Sequence, residues 1–436
     1  AELWRKLANP PVEWTRKAVH TGGGVIAAGF PWISASHWTV LALGAAFALI
    51  LWGTRRLGLL QSVHGVARKS EGGLYYPLAI YLLFRIASPT PVFYLISILA
   101  LVVSDTMAAL VGTTYGRITY SVEAEDRRSL EGSAVFFLAT FLGVHLPLLL
   151  LSGIGRSESV VIALQVALIV TFFEAVCLYG SDNLVVPLVT YFLLIKMTPR
   201  PAEFLAAQLG AQLVLIGVIS WAALRSRVLT VSGAIGATLF FYGAFALGGP
   251  EWIVAPALAL AGVLSFFLPA GRRDAPPPRG EYQVAAVFYS TVVAAGMVAL
   301  NNAWETLLPV SPALARGDPL YPAFVGVLAA HLAMLAMSWR EPGPEAVRPL
   351  RRLAALATGL VWVLPAGIAV WGEGNLVEAA AVATAICLVA FSLYASLRWC
   401  RRMPRGPVWE LRLEMASSLA ALAVVLPPHL LWLTRG

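Results

Sequence analysis

Apolar runs long enough to cross a bilayer recur along the whole chain, and charges inside them are rare. They begin with 18–33 and 38–53 and continue through 74–87, 92–112, 131–152, 159–178, 184–197, 203–224, 231–247 and 252–269. The series then runs through 283–303, 321–339, 353–371 and 378–397 to 413–433. A helix needs ~20 such residues to span the hydrocarbon, and in lipid every backbone N–H and C=O must find its partner within the protein. That leaves little choice of fold. Only 12% of the 436 residues are charged, about half the share of a soluble domain. The chain reads as an all-α polytopic integral membrane protein with about fifteen transmembrane or membrane-embedded helices, several short enough to be tilted, broken or re-entrant.

The net charge of +8 is carried mostly by arginine in short loops. Such loops favour the cytoplasmic side, so the charge sets topology and gives no reason to expect nucleic acid. RRLGLLQSVHGVARK, GRITYSVEAEDRR, RSR, GRRDAPPPRGE, WREPGPEAVRPLRR and RWCRRMPRGPVWELR alternate with charge-poor ASPTP, ALGGPEW and WGEGN. This puts Arg16 and Lys17 at the cytoplasmic face, with the end of SDTMAALVG and the turn GSDN. The polar opening AELWRKLANPPVEWTRK does not read as a cleavable signal peptide. Cys177, Cys387 and Cys400 are too scattered for a disulfide framework or a zinc site.

Polar residues that break the apolar pattern concentrate before residue 200. In EWTRKAVHTGGG (13–24), Arg16 and His20 stand four apart on one helix face at a membrane boundary, with Lys17 beside them. RKSEGGLYYP (68–77) sets Glu71 and two glycines at the mouth of a span. In SDTMAALVGTTYG (104–116), Asp105 stands at the end of an apolar run, and Ala109, Gly112 and Gly116 continue its stripe along the helix. Small residues there suit a helix-packing face or close approach of a ligand. Packing does not explain Asp105, because a carboxylate near hydrocarbon is costly and marks function by default. RRSLEGSAVFF (127–137) opens the next span with Glu131, Gly132 and Ser133, suited equally to capping and to a ligand. FFEAVCLYGSDNLVVP (172–187) places Glu174 inside an apolar run, within two helical turns of the polar GSDN turn that holds Asp182 and Asn183.

Carboxylates with arginine and lysine at one membrane face suit a magnesium–nucleotide phosphate. Magnesium is held by one or two carboxylates plus substrate phosphates, and cations stabilise the transferring phosphoryl group. The sequence has no G-x-x-x-x-G-K-[ST] and no protein-kinase signature set.

RKAVH, RKSEGGLYYP, SDTMAALVGTTYG, RRSLEGS and GSDNLVVP follow one another in the order found in phytol kinases and dolichol (polyprenol) kinases, which residues 10–200 resemble. The resemblance implies magnesium-dependent transfer of the γ-phosphoryl group of CTP, or of another nucleoside triphosphate, to a prenyl alcohol such as phytol, geranylgeraniol or a polyprenol. On the matching positions it implies that Asp105, Asp182, Lys17 and His20 are catalytic, and that Asp105, Asp182 and Glu174 hold the metal. It further implies that Arg16, Lys17, Gly112, Gly116, Arg128, Glu131, Gly132, Ser133 and Asn183 bind the nucleotide. Whether Asp105 binds magnesium or accepts the alcohol proton stays open. Arg127 and Arg128 stand near the place where the family usually shows lysines. The site would face the cytoplasm from the cytoplasmic membrane, with the lipid entering sideways between helices.

From about residue 229, SGAIGATLFFYGAFALGGPEW, LSFFL and QV at 283–284 resemble the phytyl-phosphate kinases, which implies two domains, 1–228 and 229–436. In LAAHLAMLAMSW (328–339), Met334 takes the place of that family's acid. The second half is therefore expected to be catalytically silent, a scaffold or lipid guide, with His331 a packed or interfacial residue. The phosphatidate cytidylyltransferases share the SDT and EGS-like elements, so synthesis of a CDP-lipid is the alternative, although no K-D-x-x-x-P-G-H-G-G-like segment follows. A lipid transporter ranks third, because the intramembrane acids cluster in the first half. The acids of the second half, Glu305, Glu341, Glu345, Glu373, Glu378 and Asp318, lie in or near loops. Asp105→Asn is expected to stop turnover and leave folding nearly intact, and neutralising Glu305, Glu341 or Asp318 to change the rate little.

Overall fold

The computed structural model describes residues 1–60, 62, 71–123, 126–226, 228–267, 284–307, 318–339, 348–370, 376–398 and 407–433. The loop 271–281, Glu341, Glu345, Glu373 and Cys400 lie outside the described residues. Eleven helices among the described residues are long and apolar enough to cross a membrane, and Gly72–Ala87 and Pro250–Ser265 are shorter apolar companions. The protein is an all-α polytopic membrane protein. The lipid-facing surface is plain on α4 (His37–Arg56), where only 11% of the apolar window is buried and Leu49 and Ile50 stay largely exposed. A soluble protein does not tolerate so much contiguous apolar surface.

The chain divides into two compact units, Ala1–Val214 and Leu215–Gly436. The division falls within a long helix, Ala202–Ser226, whereas the 228/229 boundary implied by the resemblance lies just beyond its end.

In the first unit, α1 (Glu2–Ala8), α2 (Val12–Ala28), α3 (Phe30–Ile33) and α4 are followed by α5 (Gly72–Ala87) and α6 (Pro91–Leu99). A π turn, Ala100–Ser104, joins α6 to α7 (Asp105–Tyr115), making one span, Pro91–Tyr115. Asp105 thus lies inside a span and not at its end, because the helix widens and runs on instead of stopping. Single π turns recur at functional sites. The arginine loop after α7 is not an irregular loop. It folds as an antiparallel hairpin of β1 (Thr119–Glu123) and β2 (Asp126–Ser129), in a register that pairs Tyr120 with Arg128. Next come α8 (Leu130–Leu151), α9 (Arg156–Val176) and α10 (Asp182–Met197). Leu83, Phe84, Tyr94, Ile98 and Leu101 pack as a core between α5, α6 and the π turn, with Ala27 of α2 against them.

After α11 (Ala202–Ser226), the second unit contains α12 (Val231–Gly248), a short 3-10 turn, α13 (Val254–Phe267), α14 (Val284–Leu307), α15 (Tyr321–Trp339), α16 (Arg348–Val370), α17 (Leu376–Arg398) and α18 (Pro407–Leu433). The apolar window of α15 is 89% buried, against 28% to 44% for α12, α14, α16, α17 and α18. A helix apolar all round belongs in the centre, and Gly326 and Gly359 let its neighbours close on it: a Cβ on them would meet the Ala383 and Ala329 carbonyls at 2.7 and 2.2 Å. Met334 lies wholly within this core.

Candidate active site

Two ion-paired groups meet where α2, the π turn, the hairpin and the facing ends of α9 and α10 converge. The first is built by α2. Lys17, Thr21 and Gly24 are spaced four and three apart, one stripe of a helix, and that stripe lies against the π turn and α7. Lys17 Nζ donates to Asp105 Oδ2 at 2.5 Å. Thr21 and Thr106 share a hydroxyl hydrogen bond of 3.1 Å. At Gly24 a Cβ would stand 2.2 Å from Val102, so only glycine permits this approach. His20 flanks the stripe, its Nε2 3.0 Å from the Leu101 carbonyl inside the π turn and 3.3 Å from Asp105 Oδ2. Tyr76 lies with its ring tilted against the His20 ring, centroids 4.5 Å apart, and donates its hydroxyl to the His20 carbonyl. Lys17 is 3% exposed, a burial that an ammonium tolerates only when paired.

The second group is delivered by the hairpin. Side chains alternate across a strand, so of two successive arginines one points outward and the other in. Arg127 is exposed, whereas the Arg128 guanidinium pairs with Glu174, donates to the Cys177 carbonyl at 3.2 Å and stands 4.0 Å from Asp182 Oδ2. Burial alone would lower the Arg128 pKa, but Glu174, Asp182, Asp126 and Asp105 together hold it above the ordinary value. The neighbouring Cys177 is a buried free cysteine.

The two groups feel one another. Arg128 and Glu174 both sense the charges of Asp105 and Asp182. The GSDN turn bends through Tyr179 and Gly180 at φ 55° and 83°, the second a conformation glycine adopts freely. The Glu71 N–H donates to the Tyr179 carbonyl at 2.9 Å, which ties the mouth of α5 to this turn. Asp182 begins α10 with its Oδ1 buried and without a hydrogen-bond partner.

Several sequence candidates have other work here. Gly112 and Gly132 face each other: a Cβ on either would come 2.9 Å from Ser129 Oγ, and one on Gly132 would come 3.1 Å from the Ala108 carbonyl. Gly116 sits just as tightly, 2.7 Å from Ser129 Cβ. The small-residue stripe makes a close contact of α7 with α8 and with Ser129 ahead of it, so helix packing accounts for these glycines. Ser129, not 131–133, is the N-cap of α8, accepting from the Gly132 N–H. Glu131 accepts the Arg117 and Ile118 N–H groups at 3.0 and 3.2 Å and closes the base of the hairpin. Ser133 bonds Tyr120 at 2.9 Å. Asn183 donates to the Gly180 carbonyl within its own turn. Arg16 is held by Glu13 through two hydrogen bonds of 3.0 and 2.5 Å. Glu174 serves as the counter-ion of Arg128 and not as an open ligand. Lys17, His20, Asp105, Arg128, Glu174 and Asp182 remain together. The pattern reading missed Thr21, Thr106 and the Leu101 carbonyl; the 17, 21, 24 spacing was the available signal.

Among the described residues no group of three or more His, Cys, Asp or Glu side chains forms a metal site. Magnesium relying on two carboxylates and substrate phosphates does not require one. Asp182 Oδ1 is a buried acceptor left over, and the Lys17 and His20 contacts to Asp105 both use Oδ2. The residues fit such a cation.

A phytol kinase of Synechocystis sp. is 37% identical over 190 residues, 43% of this chain and 81% of that protein. The chain belongs to the phytol kinase family. No protein-family model and no solved structure matches it.

Proposed function

We propose that the first unit is a prenol kinase that transfers the γ-phosphoryl group of a nucleoside triphosphate, CTP by preference, to a prenyl alcohol at the cytoplasmic face of the membrane. The family membership supports the reaction class. The observation that carries the site is Asp182 Oδ1, buried and unbonded beside Arg128, because a native protein keeps such an acceptor where an ion or ligand completes it. Asp105 and Asp182 would hold magnesium, which supplies charge neutralisation on the nucleotide phosphates.

The chain's own residues then have distinct tasks. Arg128, oriented by Glu174, offers its guanidinium to phosphate oxygens, and Arg16 stands nearby for the outer phosphates. Lys17 and His20 fix the Asp105 carboxylate in one position. The prenyl oxygen forms its bond to the γ-phosphorus as the bond to the bridging oxygen of the departing nucleoside diphosphate breaks. Asp105 would be the group to accept the hydroxyl proton, and in a loose transition state a weak base suffices. The apolar, lipid-facing helices let the prenyl chain stay in the bilayer throughout.

Purified protein incubated with γ-labelled CTP and a panel of phytol, geranylgeraniol, farnesol and polyprenols should yield a labelled prenyl monophosphate. No transfer to any alcohol, or release of pyrophosphate with a CDP-lipid as product, would overturn this reading.

A further inference from the structure

Helix α1 belongs to neither ion-paired group, yet its place in the first unit is fixed. Asn9 ends it at φ 41°, and Pro10 and Pro11 lead directly into α2. Glu2 Oε2 accepts the Ser62 N–H at 3.2 Å, and the Ser62 carbonyl accepts the Thr15 hydroxyl at 2.8 Å. One residue thus ties the start of α1 to α2 at Thr15, just before Lys17. Helical spacing sets Leu3 and Leu7 on one face of α1, with Trp4 and Lys6 at its edges and Glu2 and Arg5 behind. That face is bare: Leu3 is 70% exposed and Leu7 78%. Trp4 and Trp14, the latter in the first turn of α2, are exposed as well. Tryptophan is enriched at the membrane–water boundary, and a helix with one apolar face and basic residues beside it lies in that boundary.

The two cations of α1 fix the chemistry of its partner. Arg16, Arg55, Arg128 and Arg398 have Glu13, Glu71, Glu174 and Glu410 as ion-pair partners. Among the described residues Arg5 and Lys6 have none. Glu2, the acid of the same helix, lies within their field but accepts from Ser62 and forms no ion pair with either. Arg5 Nη1 is a buried atom with no hydrogen-bond partner, and a fold keeps such a donor where an acceptor from outside the chain completes it. A phosphate answers both needs, since it takes a guanidinium in a fork of hydrogen bonds and offsets the unpaired charge. Beside a bare apolar face in a membrane protein, that phosphate belongs to a lipid headgroup. Anionic phospholipid attracts basic residues at the bilayer surface more strongly than zwitterionic lipid does.

We propose that α1 is a surface helix that binds anionic phospholipid, its Leu3–Leu7 face resting in the acyl boundary and Arg5 and Lys6 taking headgroup phosphate. The inference stands apart from the kinase reading and needs no turnover to test. The full-length protein is placed in nanodiscs of phosphatidylcholine, alone or mixed with phosphatidylglycerol, and hydrogen exchange of α1 is followed by mass spectrometry. Exchange should slow roughly tenfold when phosphatidylglycerol is present, since each basic residue near an anionic surface is worth about a fivefold change. Inorganic phosphate added to phosphatidylcholine discs should not reproduce the effect, which separates a headgroup from a free anion. Arg5→Gln/Lys6→Gln should erase the lipid dependence, whereas Arg5→Lys/Lys6→Arg, which keeps both charges, should retain it. Melting curves of both variants separate a lost lipid contact from a lost fold. With Leu7 replaced by a diazirine-bearing leucine analogue, photolysis should yield phospholipid adducts. Equal exchange of the parent in the two lipids, or adducts to protein (this chain or a second copy) in place of lipid, would overturn the proposal. So would a lipid dependence that persists in a natively melting Arg5→Gln/Lys6→Gln.

Discussion

Replacing Asp105 by Asn should damage the fold as well as the chemistry, and the size of the damage follows from Lys17. The Lys17 ammonium is 2.5 Å from Asp105 Oδ2, and the residue is 3% exposed. Asn keeps the carboxylate's shape but leaves a buried cation without its counter-charge, a change that costs about 3–5 kcal/mol. The Asp105 side chain retains 15% exposure, so the lower end applies, about 3 kcal/mol. For a unit of this size each kcal/mol moves Tm by about 2–4 °C, which puts the variant about 6–12 °C below the parent. Pattern reading alone gives the opposite expectation, folding nearly intact, because it cannot see that Lys17 depends on Asp105. The assay is melting by intrinsic tryptophan fluorescence in one detergent at one heating rate, with label transfer from CTP measured well below both transitions. The double variant Lys17→Met/Asp105→Leu should regain most of the lost stability, since apolar replacement of a buried pair is often neutral or better, and should remain inactive. An Asp105→Asn protein that melts with the parent, or a double variant less stable than the single, would refute the buried-pair reasoning. Near-normal turnover in either would remove Asp105 from the mechanism.

Arg128→Lys keeps the charge but loses the fork that reaches Glu174, the Cys177 carbonyl and Asp182; kcat/KM should fall about tenfold or more, and unchanged kinetics would leave Arg128 a topology anchor. Gly132→Ala should lower Tm, because its Cβ meets the Ala108 carbonyl at 3.1 Å and overpacking of this kind costs about 1–3 kcal/mol; an unchanged Tm would show that α7 and α8 separate easily. Chelation with EDTA should abolish label transfer and added Mg²⁺, not Ca²⁺, should restore it; activity that survives the chelator excludes the metal. Asp318 accepts Trp252 Nε1 at 2.8 Å and Asn301 Nδ2 at 2.9 Å, so Asp318→Ala should destabilise the second unit by about 1–3 kcal/mol and leave turnover of the folded protein close to normal, as read by calorimetry beside the kinase assay.

The sequence by itself determined the class of fold and the membrane setting, and it marked the acids around which the candidate site is built. Apolar run length and scarcity of charge are local properties, and lipid admits few backbone solutions, so they translate directly into spanning helices. The same logic picked out Asp105, Glu174 and Asp182, since carboxylates in apolar runs are conspicuous wherever they fold. Partners were another matter. Lys17 and Asp105 are 88 positions apart and Arg128 and Glu174 are 46 apart, and no local period encodes such pairings. Two features that decide them, the π turn before Asp105 and the hairpin after Tyr115, are departures from the helical pattern within runs that otherwise read as helix and loop. The hairpin turns Arg128 inward and Arg127 out, which composition could not distinguish. The glycine stripe shows the same limit from the other side. Small residues at helical spacing permit close approach, but only the tertiary structure decides whether a ligand or another helix takes the space, and at Gly112, Gly116 and Gly132 it is α7 against α8.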